Sequence, residues 1–420
     1  MSVSSNEDID RDSFGPLLDI SEESLIHLAT DIRKRCFNKS TSIARYVSCA
    51  IGSYNIIHFI QLDEHRFVIR LPITGWGSGK NETAARAMES QVATLRLIAR
   101  NTTVPVPQVY DFDTTDDNAI GAPYYCMGWI PGKPVLQVWF EHPKLMSREQ
   151  FRLNILKSLS QIMPQLSRFT FNKVGSISSR SSTPAASDPC YDWAIGSNGQ
   201  LEIVSSGPFD SAVAYVKARY DHAPEDNVWI NAQEKIMSHI LPFSPIYDAQ
   251  DSFVLRAPDF NPQNVMVDEQ GNVTGLIDWD LAQTVPRCVG YATYPCWITR
   301  DWDPLMYDWP GSPDSEDSPE TLERYRAYYN EELGKALDFK GDWRFTEKSH
   351  ITEAVWIATL CRMNRMEICR KLVQTALNID PKEAFDLVFN IGMDYYEDWD
   401  SLLAKLKRLV NLELESPAEP

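Results

Sequence analysis

The sequence predicts an α+β protein in two lobes, an antiparallel sheet with one helix over residues 21–130 and a largely helical part over 131–410. Three observations predict it. Short runs of alternating apolar, β-branched and aromatic residues, separated by turn residues, fill the first 130 positions. Beyond Gly132 the apolar spacing changes to that of helices. The one clear β pattern of this later part is confined to residues 265–277.

Each element has its own signal. Residues 1–20 are acidic and Ser-rich and are expected to fray, as are 411–420 at the other end. From Ser21 to Arg35, Leu25, Ile26, Leu28, Ala29 and Ile32 lie on one helical face. Strands are expected at 44–50, 56–62 and 66–71, with Gly52 and Asp63-Glu64 in the turns. A helix follows at about 82–99, then the turn-rich VPVPQVYDFD and a strand at 124–130. The stretch GWGSGKN at 75–81 is no phosphate-binding loop, because Thr74 and Asn81 occupy the positions of its first glycine and its hydroxyl residue. It is expected to be a mobile loop. Helices are expected at about 147–169, 209–220, 227–240, 318–336, 347–376, 381–396 and 400–411, with loops at 176–189 and 310–319.

Composition narrows the partners. With 420 residues, 43% of them hydrophobic and 23% charged, the chain has material for two or three domains of about 150 residues each. A net charge of −18 is the wrong sign for coating phosphate backbones, so nucleic acid is excluded as a partner while a cationic small molecule stays open. The longest apolar run, Ala354–Leu360, is far too short to cross a membrane. The first fifteen residues carry neither a signal-sequence nor a transit-peptide pattern, and the eight cysteines form no CxxC pair. A cytoplasmic protein with reduced thiols, no zinc site and no disulfide framework is the expectation. Nothing in the sequence sets an oligomeric state.

The chemistry concentrates at 257–280. Asp259 begins a Pro-containing loop that reaches Asn264; two β runs flank a Gly-Asn turn; Asp278-Trp279-Asp280 follows. In a hairpin, Asn264 just before the first strand and Asp278 just after the second meet at the open end. An amide oxygen and a carboxylate there are hard ligands of the kind Mg²⁺ with bound phosphates prefers. Asp259, five residues before Asn264, is placed to take a proton from an attacking hydroxyl. An ordinary surface hairpin with turn Asp and Asn residues is the competing reading.

This spacing resembles the catalytic loop and metal-binding segment of the protein-kinase-like superfamily, and most closely the aminoglycoside phosphotransferase (APH) family in its fungal form. The resemblance extends over roughly residues 45–300. It implies a bilobal protein-kinase-like fold, ATP and Mg²⁺ as cofactors, and a small-molecule acceptor. It further implies Asp259 as catalytic base and Asn264 and Asp278 as metal ligands. In the first lobe it implies Gly52 in the turn over the phosphates, Arg70 of FVIRLP as the phosphate-contacting cation, and backbone groups near Gly128 and Ile130 as the adenine contacts.

Three positions depart from the family pattern. Ala257 stands where a His normally supports the loop, Gln91 stands where the helix acid belongs with Glu89 on another face, and Arg70 differs in geometry from Lys. These departures keep alive a pseudokinase-like binding protein, and a kinase-fold enzyme doing adenylyl transfer or acyl activation. Residues 1–127 carry 12 basic and 16 acidic side chains and the remainder 28 and 42, so −14 of the charge falls on the acceptor-binding side. Aromatic-acidic clusters at 297–303, 307–309 and 394–400 can hold an amine by carboxylate contact and cation–π attraction, or are simply acids beside core aromatics.

Overall fold

The computed structural model describes residues 11–141, 143–180, 185–220, 227–248 and 252–412. They form two compact units. The first runs to Gly132 and also takes in Ser176–Pro208 and Thr274–Gln283; the second holds Lys133–Gly175, Phe209–Val273 and the chain from Thr284 onward.

In the first unit, helix α1 (Glu22–Phe37) starts at Ser21, whose Oγ accepts from Ser24 N–H, and ends at Asn38 in the left-handed region. Strands β1 (Ala44–Ile51), β2 (Asn55–Leu62) and β3 (His65–Pro72) follow, then α2 (Glu82–Asn101), β4 (Val109–Asp113) and β5 (Tyr124–Gly128). The strands form one antiparallel sheet in the order β1-β2-β3-β5-β4. Alternation along β2 and β3 gives the sheet two faces. Ile56, Ile60, Phe67, Ile69 and Leu71 meet Leu25, Leu28 and Ile32 of α1, while Asn55 and Arg70 occupy the alternate positions.

Two expectations for this unit need correcting. Residues 11–19 are not frayed: Gly15–Asp19 is a 3-10 turn that buries Phe14 and Leu17 in the sheet core. Residues 1–10 and 413–420, also expected to be disordered, lie outside the described residues. The loop at 75–81 is tied down as well. Trp76 Nε1 donates to Ser13 O (3.0 Å), Ser78 Oγ to Gln200 Oε1 (3.0 Å), and Asn81 caps α2 by accepting from Ala84 N–H (2.9 Å).

The second unit begins with β6 (Lys133–Pro134), a one-turn helix at Val135–Val138, α3 (Arg148–Ile162) and β7 (Thr170–Phe171). The chain then returns to the first unit with the hairpin β8 (Cys190–Ile195) and β9 (Leu201–Ser206), which the sequence reading missed. Tyr191 and Ile203 of that hairpin pack on Ala84 and Ala87 of α2, small residues that allow a close approach. The first unit is therefore larger than residues 21–130.

Helices α4 (Ala212–Arg219) and α5 (Val228–Ile240) come next, then β10 (Phe253–Leu255), β11 (Val265–Val267), β12 (Val273–Leu276) and β13 (Thr284–Pro286). The chain ends in α6 (Pro319–Ala336), α7 (Ser349–Leu360), α8 (Arg362–Leu377), α9 (Pro381–Gly392) and α10 (Trp399–Val410). The helix expected over 347–376 is two helices, because Cys361 is extended (φ −134°, ψ 106°). Helix α8 packs against α5, α7, α9 and α10, and α3 packs against α6. No helix among the described residues is long and apolar enough to cross a membrane.

Candidate active site

The segment that follows β12 builds the first cluster. Leu276 N–H donates to Pro105 O (2.8 Å), and Gly275 lies so close to Ile130 that a Cβ there would stand 2.3 Å from Ile130 Cγ2. Trp279 is fully buried and donates its indole N–H to Leu276 O (3.0 Å). Asp278, in the left-handed region at φ +61°, and Asp280 flank that anchor and share one partner. Arg70 Nη2 is 3.1 Å from Asp278 Oδ1 and 3.1 Å from Asp280 Oδ2. Asp280 also accepts from Asn55 Nδ2 (2.8 Å) and from Gln91 Nε2 (2.5 Å).

Arg70, Asn55 and Gln91 are all more than nine-tenths buried. Burial works against the Arg70 charge, but Asp280 and then Asp278 outweigh it, and the guanidinium pKa is raised. Burial, reinforced by Asp280, pushes the neighbouring Tyr125 hydroxyl well above its ordinary value, so it stays neutral. Arg70 Nε is buried and has no protein hydrogen-bond partner.

A second cluster belongs to the second unit. Asp259 opens a loop whose amides close back on it: Asn261 Nδ2 donates to Oδ1, while Asn264 Nδ2 (2.8 Å) and Gln263 Nε2 (3.4 Å) donate to Oδ2. Asn264 Nδ2 also reaches Asp259 O (3.1 Å), and its N–H donates to Asn261 O (3.0 Å). With the NH₂ of Asn264 committed to Asp259, the group left on its side chain is the amide oxygen, an acceptor. Ala257 is buried, and the neighbouring Arg256 ties the loop down through Val289 O (3.1 Å) and Glu353 on α7 (2.6 Å). Arg256 thus supplies an anchor where the family His is missing. The turn after β11 is closed by Asp268 N–H donating to Asn272 O (3.0 Å), with Gly271 at φ +83°.

The remaining candidates stand as follows. Gly52 lies in the exposed β1–β2 turn at ordinary negative φ, its N–H donating to Asn55 O (2.9 Å), so the backbone there does not demand glycine. Gly128 ends β5 and its N–H is committed to Gln108 O (2.9 Å). Trp129 N–H goes to Arg66 O (3.3 Å), whereas Ile130 N–H is bonded to no backbone group among the described residues. Within the aromatic clusters, Asp301 takes Arg326 (2.6 Å), Asp303 takes Arg300 (3.4 Å) and Asp394 takes Lys235 (2.6 Å). Among the described residues no three His, Cys, Asp or Glu side chains cluster as a metal site. Mg²⁺ bound through one or two protein oxygens, phosphates and water needs no such cluster.

Sequence reading missed Asn55, Asp280, Asn261, Gln263 and Arg256. Only Asp280 carried a signal, as the second acid of Asp278-Trp279-Asp280. Both carboxylates reach Arg70 Nη2, while Trp279 between them is buried.

An α+β chain with a five-stranded antiparallel sheet and helix in one unit and a mostly helical second unit has the bilobal, protein-kinase-like fold. The sequence profile of the phosphotransferase enzyme family (APH) matches residues 57–332, and the chain belongs to that family. A Candida glabrata protein named altered inheritance of mitochondria protein 9, mitochondrial, is 26% identical over 159 residues, 33% of this chain and 24% of that protein. Its Candida tropicalis namesake is 21% identical over 370 residues, 73% of this chain and 57% of that protein. The chain thus spans about a quarter to somewhat over half the length of these curated relatives. Among solved structures, aminoglycoside phosphotransferase APH(4)-Ia is similar at 12% identity and a TM-score of 0.46, over 92% of this chain and 99% of that one.

The cytoplasmic expectation does not stand, since both relatives are named as mitochondrial proteins. It rested on what the first fifteen residues lack, and such an absence does not fix a compartment.

Proposed function

We propose that this chain is an ATP- and Mg²⁺-dependent phosphotransferase that moves the γ-phosphoryl group to a hydroxyl of a small molecule. The observation that carries the proposal is Arg70, a buried cation on β3 held between Asp278 and Asp280. In this reading Arg70 binds phosphate oxygens and Ile130 N–H pairs with adenine beside Gly128. The turn at Gly52 covers the phosphates. Residues 21–130 and the segments that join them serve the nucleotide, and residues 131–410 serve the acceptor.

Asp259, oriented by its three amide donors, accepts the proton of the acceptor hydroxyl. The acceptor oxygen then forms its bond to the γ-phosphorus as the bond to the β–γ bridging oxygen breaks, releasing ADP. Asp278 and the Asn264 side-chain oxygen are the hard groups that would hold Mg²⁺, which would supply positive charge against the developing negative charge of the phosphates.

The test supplies Mg·ATP labelled at the γ-phosphate with cationic aminoglycosides, neutral sugars and amino alcohols, and follows labelled product by mass spectrometry. Asp259→Asn is expected to lower kcat by about 10²–10⁴ with nucleotide affinity retained, and Asp278→Ala to abolish Mg²⁺-dependent transfer. Undiminished transfer by Asp278→Ala overturns the proposal, and AMP-modified acceptor replaces it with adenylyl transfer.

A further inference from the structure

A cation on β3 that is to hold phosphate needs a fixed counter-ion, or it collapses onto whichever acid is nearest. The helix position suited to supply that acid is Gln91, an amide. The structure supplies the charge from elsewhere. Asp280, 210 residues from Arg70 along the chain, collects Arg70 Nη2 (3.1 Å), Asn55 Nδ2 (2.8 Å) and Gln91 Nε2 (2.5 Å). All three donors are buried, and both oxygens of the carboxylate are used. A cavity of about 20 Å³ bordered by Asn55, Gln91, Tyr125 and Asp280 has room for one water, and Asn55 Oδ1 is the buried acceptor without a protein partner.

The identity of residue 91 then follows from charge. A glutamate at 91 would set a second carboxylate 2.5 Å from Asp280 Oδ1, where two ionised groups repel; an amide donates instead. Asp278 differs from Asp280 in kind. It is the more exposed of the two, and Arg70 touches it through the same Nη2 that already holds Asp280.

We infer that Asp280 is the standing counter-ion of Arg70, a positioning residue that keeps the guanidinium in place while Asp278 is given up to the metal. On this view Gln91 is an amide because the acid has moved from the helix to the segment after β12. The inference rests on the nucleotide-binding reading above and names how its cation is held.

The experiment exchanges the acid and the amide. Wild type, Asp280→Asn, Gln91→Glu and the double variant are titrated calorimetrically with Mg·ATP. Each single variant is expected to lose more than about tenfold in affinity, the scale of one charge-assisted hydrogen bond. The double variant, with the acid returned to the helix and the amide placed at 280, is expected within about threefold of wild type. Single variants that bind like wild type, or a double variant whose loss is the product of the two, overturn the inference.

If wild type binds no Mg·ATP, the nucleotide reading fails by itself, and thermal unfolding of the same four proteins decides the counter-ion question. At pH 7 both single variants melt earlier and the double recovers, and the Gln91→Glu deficit shrinks at pH 4 as the added carboxylate takes up a proton. Absence of recovery in the double overturns the inference there too.

Discussion

Replacing Gly275 by alanine tests whether the segment carrying Asp278 is locked to the Ile130 strap by a contact that only glycine permits. The added Cβ would sit 2.3 Å from Ile130 Cγ2, 3.2 Å from Cγ1 and 3.3 Å from Cβ. Ordinary van der Waals contact begins near 3.4 Å, so about 1 Å of separation must be found. Ile130 cannot supply it by swinging a flexible tip, since Cγ2 is bonded directly to a β-branched carbon whose χ1 is stiff. Either the strap after β5 or β12 moves, against the Leu276–Pro105 hydrogen bond and the bond from Thr274 Oγ1 to Pro131 O.

Overpacking of this kind costs about 1–3 kcal/mol. Urea unfolding of Gly275→Ala, Ile130→Ala and the double variant measures it. The double variant, lacking both Ile130 γ-carbons, is expected to recover at least about 1 kcal/mol of the Gly275→Ala loss, a coupling typical of residues in direct contact. Strict additivity, or a Gly275→Ala loss under about 0.5 kcal/mol, refutes the reasoning.

Three further outcomes follow from the same geometry. Asp301 and Arg326 form a buried two-pronged pair (2.6 and 3.1 Å), so Asp301→Ala leaves an uncompensated charge and should cost about 3–5 kcal/mol by urea unfolding. A loss near zero would show that the pair is solvated. The pKa of His350 is lowered to about 3, chiefly by burial and secondarily by Arg326 and Lys371, so the unfolded chain takes up its proton first. Stability is therefore full above about pH 6.5 and falls between there and pH 3, by about 2 kcal/mol at pH 5 for this one group. His350→Gln should flatten that slope in pH-dependent unfolding, and an unchanged slope would contradict it. Finally, a thiol reagent should modify the exposed Cys36 and Cys49 rapidly and the buried Cys126, Cys190, Cys288 and Cys369 only after unfolding. Peptide mass mapping at short times reads the order.

How much of this was legible in the sequence depended on how local each signal is. Strands β1 to β3 and helix α1 show their periods within a dozen residues, and Asp259 with Asn264 sits in one loop, so a linear reading reaches them. The hairpin β8–β9 has its own turn at Gly196–Gly199, but its membership in the first unit comes from Tyr191 and Ile203 meeting Ala84 and Ala87, a contact about a hundred residues long. Phe14 and Leu17 lay in an acidic stretch whose composition outweighed two apolar residues until Trp76 and the sheet gave them a surface to cover. The missing family His and the missing helix acid were visible as absences. What replaces them, Arg256 beside Ala257 and Asp280 opposite Gln91, was not visible, because each replacement is a contact across 97 or 189 positions.

Those two replacements bear on how departures from a motif should be weighed. Ala257 and Gln91, taken as letters, argue for a weakened site. Taken with their neighbours, each marks a support that has changed position: the loop anchor has moved one residue, to Arg256, and the counter-ion has moved from the helix to Asp280. A site decaying without function would be expected to leave Arg70 a buried charge without a partner, at a penalty that further substitutions would quickly relieve. Instead Arg70 keeps two carboxylates, Asp280 keeps three donors, and Asp259 keeps three amides. Charge balance preserved by different residues argues for a constraint on the arrangement itself, and so for reading Gln91 together with Asp280 rather than as a defect.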